Sequence, residues 1–312
     1  MSPTMKAMTY AQYGGTDVLS STELPVPKVS PGCVLVRMKA AGVNPMDWKI
    51  MAGWMDDFYA VRFPVIPGAD VAGVVEAVGI DTPEFSVGDE VYSFVLRDTF
   101  QGGTFAELVS LPASMVARKP ASLSWEQAAG LPQAGLAALR TLDTLALNRG
   151  DTLLIHNGSG GVGRIGVQLA VNAGIRVIAT TSPENFTRLR ELGAEPVEYG
   201  EGLSDRVLAL APGGVDAVAD FIGDVVDQTM AVLKPAGRHV SITDGAVLGR
   251  GGLFIGGRAD THSLDRLSQL VDAGALTVDV AATYPLQEVA AAFQASMSGH
   301  SDGKIVMTAF TI

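Results

Sequence analysis

The sequence predicts an α/β protein in two parts: a doubly wound domain, and before it a β-rich domain to which the end of the chain returns. Three observations carry that reading. Short apolar strands alternate with helix-like runs from Leu153 to Ile242. The first part instead shows short strands separated by turn signals. Between the first strand and first helix of the alternating part lies a glycine loop.

That loop is the most informative stretch of the chain. Leu153 to His156 reads as a buried strand and Arg164 to Ala173 as a helix, with Asn157, Gly158, Ser159, Gly160, Gly161, Val162 and Gly163 between them. Gly158, Gly160 and Gly163 fit the G-x-G-x-x-G spacing of a dinucleotide-binding turn. The first glycine permits the tight turn, the second lets backbone approach a pyrophosphate, and the third lets helix and strand pack closely. The phosphates then meet the free N–H groups of a helix N-terminus. Glycine clusters also make ordinary turns, so it is the flanking strand and helix that favour a nucleotide.

Beyond the loop, Ile175 to Ala179 reads as the second strand, and Ser182-Pro183-Glu184 as an N-cap, a first-position proline and a first-turn acid. Glu195 to Tyr199, Val215 to Phe221 and Arg238 to Ile242 read as further strands, with a helical run from Val225 to Leu233. Such alternation implies a parallel sheet covered on both faces. In the first part, Val34 to Ala40, Val71 to Val78, Glu90 to Val95 and Ala106 to Leu111 read as strands, punctuated by Pro31-Gly32, Pro67-Gly68 and Val87-Gly88-Asp89. The end, with Gly303 to Met307 as its last strand, is too short for a domain and is expected to pack on the first one. The expected division is residues 1–125 with 275–312, and residues 126–274.

Composition excludes other classes. The chain of 312 residues is 47% hydrophobic with 36 glycines, which suits a loop-rich globular α/β protein. A net charge of −11 disfavours nucleic acid or an anionic membrane as partner. Cys33 is the only cysteine, so no internal disulfide forms and a reducing cytoplasm is expected. Neither a signal peptide's apolar core at the start nor a run long enough to span a bilayer is visible.

A family resemblance emerges from Ala41-Gly42-Val43-Asn44-Pro45-Met46-Asp47-Trp48-Lys49, Pro67 to Val75, Val87 to Tyr92, Gly102 to Glu107, Ala134-Gly135-Leu136, Gly158 to Gly163 and Gly303 to Val306. In this order the chain resembles the medium-chain dehydrogenase/reductase superfamily, and more narrowly its zinc-independent quinone oxidoreductase and alkenal-enone reductase branch. The resemblance implies a discontinuous GroES-like β-rich catalytic domain, a Rossmann domain and an active-site cleft between them. Zinc-dependent members place a cysteine at Asn44 and a His-Glu pair at Ala69-Asp70; neither asparagine nor alanine is a suitable ligand for tetrahedral zinc, so no metal is expected. His156, His239, His262 and His300 show no His-x-x-x-His spacing, and His156 reads as a packed residue rather than a base.

Without a metal, the natural chemistry is hydride transfer to an α,β-unsaturated aldehyde or ketone, or to a quinone, with hydrogen-bond donors for the charge that grows on oxygen. By the resemblance, Asn44, Lys49 and nearby backbone N–H groups are the candidate donors, Lys49 also the candidate proton donor, and Asp47 either orients neighbours or caps the following turn. Lys49 also reads as a solvated surface lysine, and water is the other proton source. Trp48 and Trp54 line a pocket or belong to the core. Two departures from relatives are visible. Ala137 stands where many zinc-free members carry a threonine, and Asn185 where NADPH-using relatives often carry a lysine.

NADPH is the expected cofactor. The second strand runs into Thr180, Thr181 and Ser182, with no acid for a ribose 2′-hydroxyl until Glu184. Thr181 and Ser182 leave room for a 2′-phosphate, Arg188 is positioned to approach it, and Tyr199 matches a tyrosine near the adenosine phosphate in relatives. Cap, surface and packing roles are the plainer readings of Ser182, Arg188 and Tyr199. Gly252 to Gly256 is a candidate edge strand for a homodimer. A quinone reductase proper, and a non-catalytic NADPH-binding sensor or scaffold, remain as alternatives. The loops 51–63, 96–100 and 246–252 that would shape a substrate pocket carry no readable code.

Overall fold

The computed structural model describes residues 3–299 and 301–311. It holds two compact units: Met1–Gln133 with Ala259–Ala273 and Val278–Ile312, and Ala134–Arg258 with Gly274–Thr277.

The second unit is a six-stranded parallel sheet. Its order is Glu195–Glu198, Arg176–Thr181, Thr152–His156, Val215–Asp220, Leu233–Ser241, Leu253–Phe254, so the glycine-loop strand is central. Numbered along the chain this is 3-2-1-4-5-6, the doubly wound order of dinucleotide-binding domains. All five residues of Thr152–His156 are buried, which explains their continuous apolar run. Alternate side chains serve opposite faces. Leu153, Ile155, Val177 and Ala217 pack with Val167 and Ala170 of helix Gly161–Asn172. Leu154, Ile178 and Val218 pack with Leu203 and Val207 of helix Leu203–Leu210 and Val232 of helix Val226–Val232.

In the first unit a seven-stranded sheet runs in the order Val280–Pro285, Lys304–Thr308, Cys33–Val43, Asp70–Val78, Glu90–Phe94, Val116–Arg118, with Leu108–Pro112 also paired to Cys33–Val43. The late strand Lys304–Thr308 pairs antiparallel with Cys33–Val43, Ile305 opposite Val43. That register brings Lys304 beside the residue after Val43, which is Asn44. The core beneath gathers Val36, Met38, Phe105, Phe293, Ile305 and Met307.

Boundaries differ from expectation where glycine or turn geometry intervenes. The first Rossmann helix starts at Gly161, not Arg164, because its glycines are needed in its first turn for close packing rather than for propensity. Ser182 is the N-cap by position, but the turn it opens, Pro183–Asn185, is 3₁₀ and its hydroxyl accepts no capping hydrogen bond. The edge strand expected over Gly252–Gly256 is only Leu253–Phe254, flanked by glycines that weaken strand pairing.

Candidate active site

The glycine loop is tight enough to demand its glycines. A Cβ on Gly158 would stand 2.6 Å from Ala179 Cβ, and one on Gly160 2.7 Å from Asn157 Nδ2. At Gly163 it would stand 2.0 Å from the Asn157 carbonyl oxygen. Asn157 itself takes a left-handed conformation, φ 61°, which asparagine tolerates better than most residues. Its N–H donates to Thr180 Oγ1 at 2.9 Å, and the Gly158 N–H donates to the Thr180 carbonyl at 2.8 Å. The helix that begins at Gly161 leaves its first amides, at Gly161, Val162 and Gly163, without intrahelical acceptors. This cradle fits a dinucleotide pyrophosphate.

Beside it, Thr181 Oγ1 donates to Ser159 Oγ at 2.7 Å, tying the end of the second strand to the loop. Arg188 pairs with Glu191 at 3.2 Å along its own helix. Tyr199 follows the third strand and is 60% exposed. The residue missed from sequence is Arg164. It is buried, donating from Nε to the Ser159 carbonyl at 2.7 Å and from its guanidinium to Asn185 Oδ1 at 3.0 Å. An arginine immediately after the third glycine, at the head of an apolar helix, was the available signal.

In the first unit the Asn44 motif opens the helix Pro45–Met51. Asn44, Asp47, Asp70 and Lys304 are all buried. Asp47 Oδ2 accepts from the Asn44 backbone N–H at 2.8 Å, so its orienting and capping roles coincide. Asn44 Nδ2 donates to Asp70 Oδ2 at 2.8 Å, and Asp70 Oδ1 accepts from the Gln133 N–H at 2.9 Å. Lys304 Nζ donates to the Val43 carbonyl at 3.1 Å and to Asn44 Oδ1. Gly42 makes room for this: a Cβ there would lie 3.0 Å from Asp70 Oδ2 and 2.4 Å from the Ala129 carbonyl. From sequence Lys304 was only part of a motif, and Asp70 only the position of the glutamate in zinc-dependent members. The strand pairing that joins them to Asn44 spans some 260 positions and leaves no local trace.

Burial pushes the Asp47 carboxyl up to about 8, against the stabilising Asn44 N–H, with Asp70 nearby raising it and Lys304 lowering it. Burial likewise lifts Asp70 to about 6 against the Lys304 charge and its hydrogen bonds, while burial lowers Lys304 against the pull of both acids. A carboxyl raised in the folded state stabilises fully below its unfolded value near 3.8 and loses that contribution as pH rises through about 6 for Asp70 and about 8 for Asp47. The thermal midpoint should therefore fall between pH 5 and pH 8. Asp47→Asn, which keeps an oxygen for the Asn44 N–H, should flatten that slope in a melting series.

Other candidates settle differently. Lys49 lies in the last turn of the same helix with its Nζ 5.6 Å over the Trp48 ring, and takes no part in the buried cluster. Trp48 packs partly on the core and donates to Ser296 Oγ at 3.1 Å. Trp54 is 69% exposed, and both tryptophans line a hollow of about 520 Å³ with Gly14, Gly15, Ala52 and Met297. His156 is a packed residue, its Nε2 3.2 Å from Thr229 Oγ1 and its basicity suppressed by burial. Ala137 is buried in the helix Pro132–Leu145, and His300 lies outside the described residues.

Comparison with known proteins identifies the family. The family "Alcohol dehydrogenase GroES-like domain" matches residues 30–121, and "Zinc-binding dehydrogenase" matches residues 192–307. The NADPH-dependent alkenal/one oxidoreductase of Arabidopsis thaliana is 35% identical over 97% of this chain and 79% of its own length. The quinone oxidoreductase structure from Coxiella burnetii superposes with a TM-score of 0.89 at 32% identity, covering 98% of this chain and 99% of that one. The mycobacterial Rv1454c, solved in complex with NADPH, gives a TM-score of 0.84 at 30% identity over 97% of this chain and 99% of that one. With its GroES-like unit, its Rossmann unit and these relatives, the chain belongs to the medium-chain dehydrogenase/reductase family, in the branch of quinone and alkenal oxidoreductases.

Proposed function

We propose that the protein is an NADPH-dependent, zinc-independent reductase of the activated C=C bond in α,β-unsaturated aldehydes and ketones, with quinones as related acceptors. The observation that carries the reading is the Asn44 amide, held in a buried frame by Lys304 and Asp70 at the position where zinc-dependent relatives place a cysteine ligand.

The donor set there does not suit zinc. Asn44 replaces the thiolate, Ala69 supplies no ligand, and the Lys304 ammonium already supplies the local positive charge. Among the described residues no three His, Cys, Asp or Glu side chains gather as a metal would need. No step is therefore routed through a metal, despite the zinc in the matched family's description.

Gly158, Ser159, Gly160, Gly161, Val162 and Gly163 would hold the pyrophosphate of the cofactor. Thr181, Ser182 and Tyr199 would face the adenosine end, where a second strand that ends without an acid of its own supports a 2′-phosphate, and Arg188 and Arg164 would add positive charge. When bound there, reduced nicotinamide would supply the hydride for the β-carbon of an enone. The chain's own task is to stabilise the enolate oxygen formed as the C=C electrons shift to the carbonyl. Asn44 offers its second Nδ2 hydrogen for that oxygen, the first being given to Asp70. A proton then completes the saturated product at the α-carbon, from Lys49 or from water.

The exposed Leu253–Phe254 edge supports a homodimer, and the single thiol Cys33 supports a reducing compartment such as the cytoplasm. No helix among the described residues is long and apolar enough to cross a membrane.

NADPH oxidation with a 2-alkenal, a cyclic enone, an ortho-quinone and a saturated aldehyde tests the reading. Turnover is expected with the alkenal and the enone, and none with the saturated aldehyde. Asn44→Ala should lower kcat by about 10²-fold, the usual cost of one preorganised oxyanion donor. Turnover of the quinone alone would make the protein a quinone reductase proper. Tight NADPH binding with no acceptor oxidising it would favour a sensor.

A further inference from the structure

We propose that Lys304 is a positioning residue for the reduction: with Asp70 on the other side, it fixes the Asn44 amide in the one orientation that keeps an N–H available to the acceptor's oxygen. The proposal rests on the functional reading above and deepens it.

An asparagine amide has an accepting end and a donating end of almost the same shape, and only its partners decide which way round it sits. Here the partners are opposite in kind. The Lys304 ammonium can only donate, and it faces Oδ1. The Asp70 carboxylate, when ionised, only accepts, and it faces Nδ2 at 2.8 Å. A flipped amide would set N–H against ammonium and oxygen against carboxylate, two repulsive contacts in a buried site. Both partners are themselves anchored, Lys304 by the Val43 carbonyl at 3.1 Å and Asp70 by the Gln133 N–H at 2.9 Å. Asp47 fixes the Asn44 backbone at 2.8 Å. The asparagine is held at its backbone and at both ends of its side chain, leaving one Nδ2 hydrogen without a partner among the described residues.

Lys304 comes from the last strand of the unit, so its reach to Asn44 depends on the antiparallel register that sets Ile305 against Val43. A lysine whose ammonium is buried against two acids costs desolvation, and a methionine there would fill similar space without it. A purely structural role would favour that replacement; a role in orienting the amide would not.

The test is a double-mutant cycle on the full-length protein with saturating NADPH and a cyclic enone, using Lys304→Met, Asn44→Ala and the double variant. Thermal midpoint and NADPH affinity report whether each is folded. Lys304→Met is expected to lower kcat by about 10²-fold, the scale at which a misplaced group costs rate, with little change in KM for the enone. The double variant should lose no more than Asn44→Ala alone, because both changes remove one N–H. Asp70→Asn, which keeps Lys304 and the shape of the site but no longer dictates the amide's direction, should show the same coupling to Asn44→Ala, and it serves if Lys304→Met fails to fold. A folded Lys304→Met enzyme with wild-type kcat overturns the proposal, and so do losses that multiply in the double variant. If the wild-type protein reduces neither enone, alkenal nor quinone, it is the functional reading that fails.

Discussion

Replacing Gly163 with alanine is expected to weaken NADPH binding by at least about 10²-fold. The added Cβ would lie 2.0 Å from the Asn157 carbonyl oxygen and 2.8 Å from Gly158 backbone atoms. Both are main chain of the loop itself, so no side chain can swing aside. The loop and the helix Gly161–Asn172 must separate, at about 1–3 kcal/mol for overpacking of this kind. Separation also misaligns the helix's first amides, and each hydrogen bond to a charged phosphate is worth about 1.5–3 kcal/mol. Two such bonds lost account for the fold-change, since each 1.4 kcal/mol is about tenfold. Gly213→Ala is the control: nothing lies within 4 Å of the Cβ it would add, and NADPH affinity should be unchanged. Fluorescence titration of NADPH against the three proteins reads the difference, and wild-type affinity in Gly163→Ala would remove the cradle from the account.

Asp70→Ala should markedly destabilise the first unit. It strands the buried Lys304 ammonium, removes the acceptor for Asn44 Nδ2 and frees the Gln133 N–H. Asp70 and Lys304 are joined through the Asn44 amide rather than in contact, so the loss is that of two buried donors left without an acceptor, about 1–3 kcal/mol each, with the Lys304 charge less compensated. Asp47, the other acid acting on Lys304, recovers part of that loss wherever it ionises, so the lost charge compensation should be clearest between about pH 6 and pH 8, where Asp70 is ionised and Asp47 is not. Removing both partners is the informative comparison. Asp70→Ala with Lys304→Met should be more stable than Asp70→Ala alone in urea unfolding, as neither charge is then stranded. A loss below about 1 kcal/mol in the single variant, the worth of an exposed pair, would show that the cluster is solvated.

Much of the second unit was legible in the sequence, because its order is built from local signals. Strands such as Leu153–His156 announce themselves by continuous burial, and Gly158, Gly160 and Gly163 by a spacing whose steric cause is a loop closing on itself. The first unit was legible in its pieces but not in its pairing. Its sheet joins strands far apart in sequence and carries register shifts at Leu35/Val36 and Met38/Ala40 that no periodicity records. For the same reason Asn44 and Asp47 could be singled out by their motif, whereas Asp70 and Lys304 could not. What makes them a site is the meeting of residues 44, 70 and 304 through tertiary contact. Arg164 was hidden differently: its position reads as one polar residue on a helix, and only the fold turns it toward Ser159 and Asn185.

The most direct test of the central claim follows the hydrogen. With NADPH deuterated at nicotinamide C4 and an alkenal or cyclic enone as acceptor, mass spectrometry and NMR of the product locate the label. The account predicts a saturated carbonyl with deuterium on the β-carbon and the aldehyde or ketone intact. Deuterium on the carbonyl carbon of an unsaturated alcohol would contradict it, because it would mean that the C=O and not the C=C bond receives the hydride.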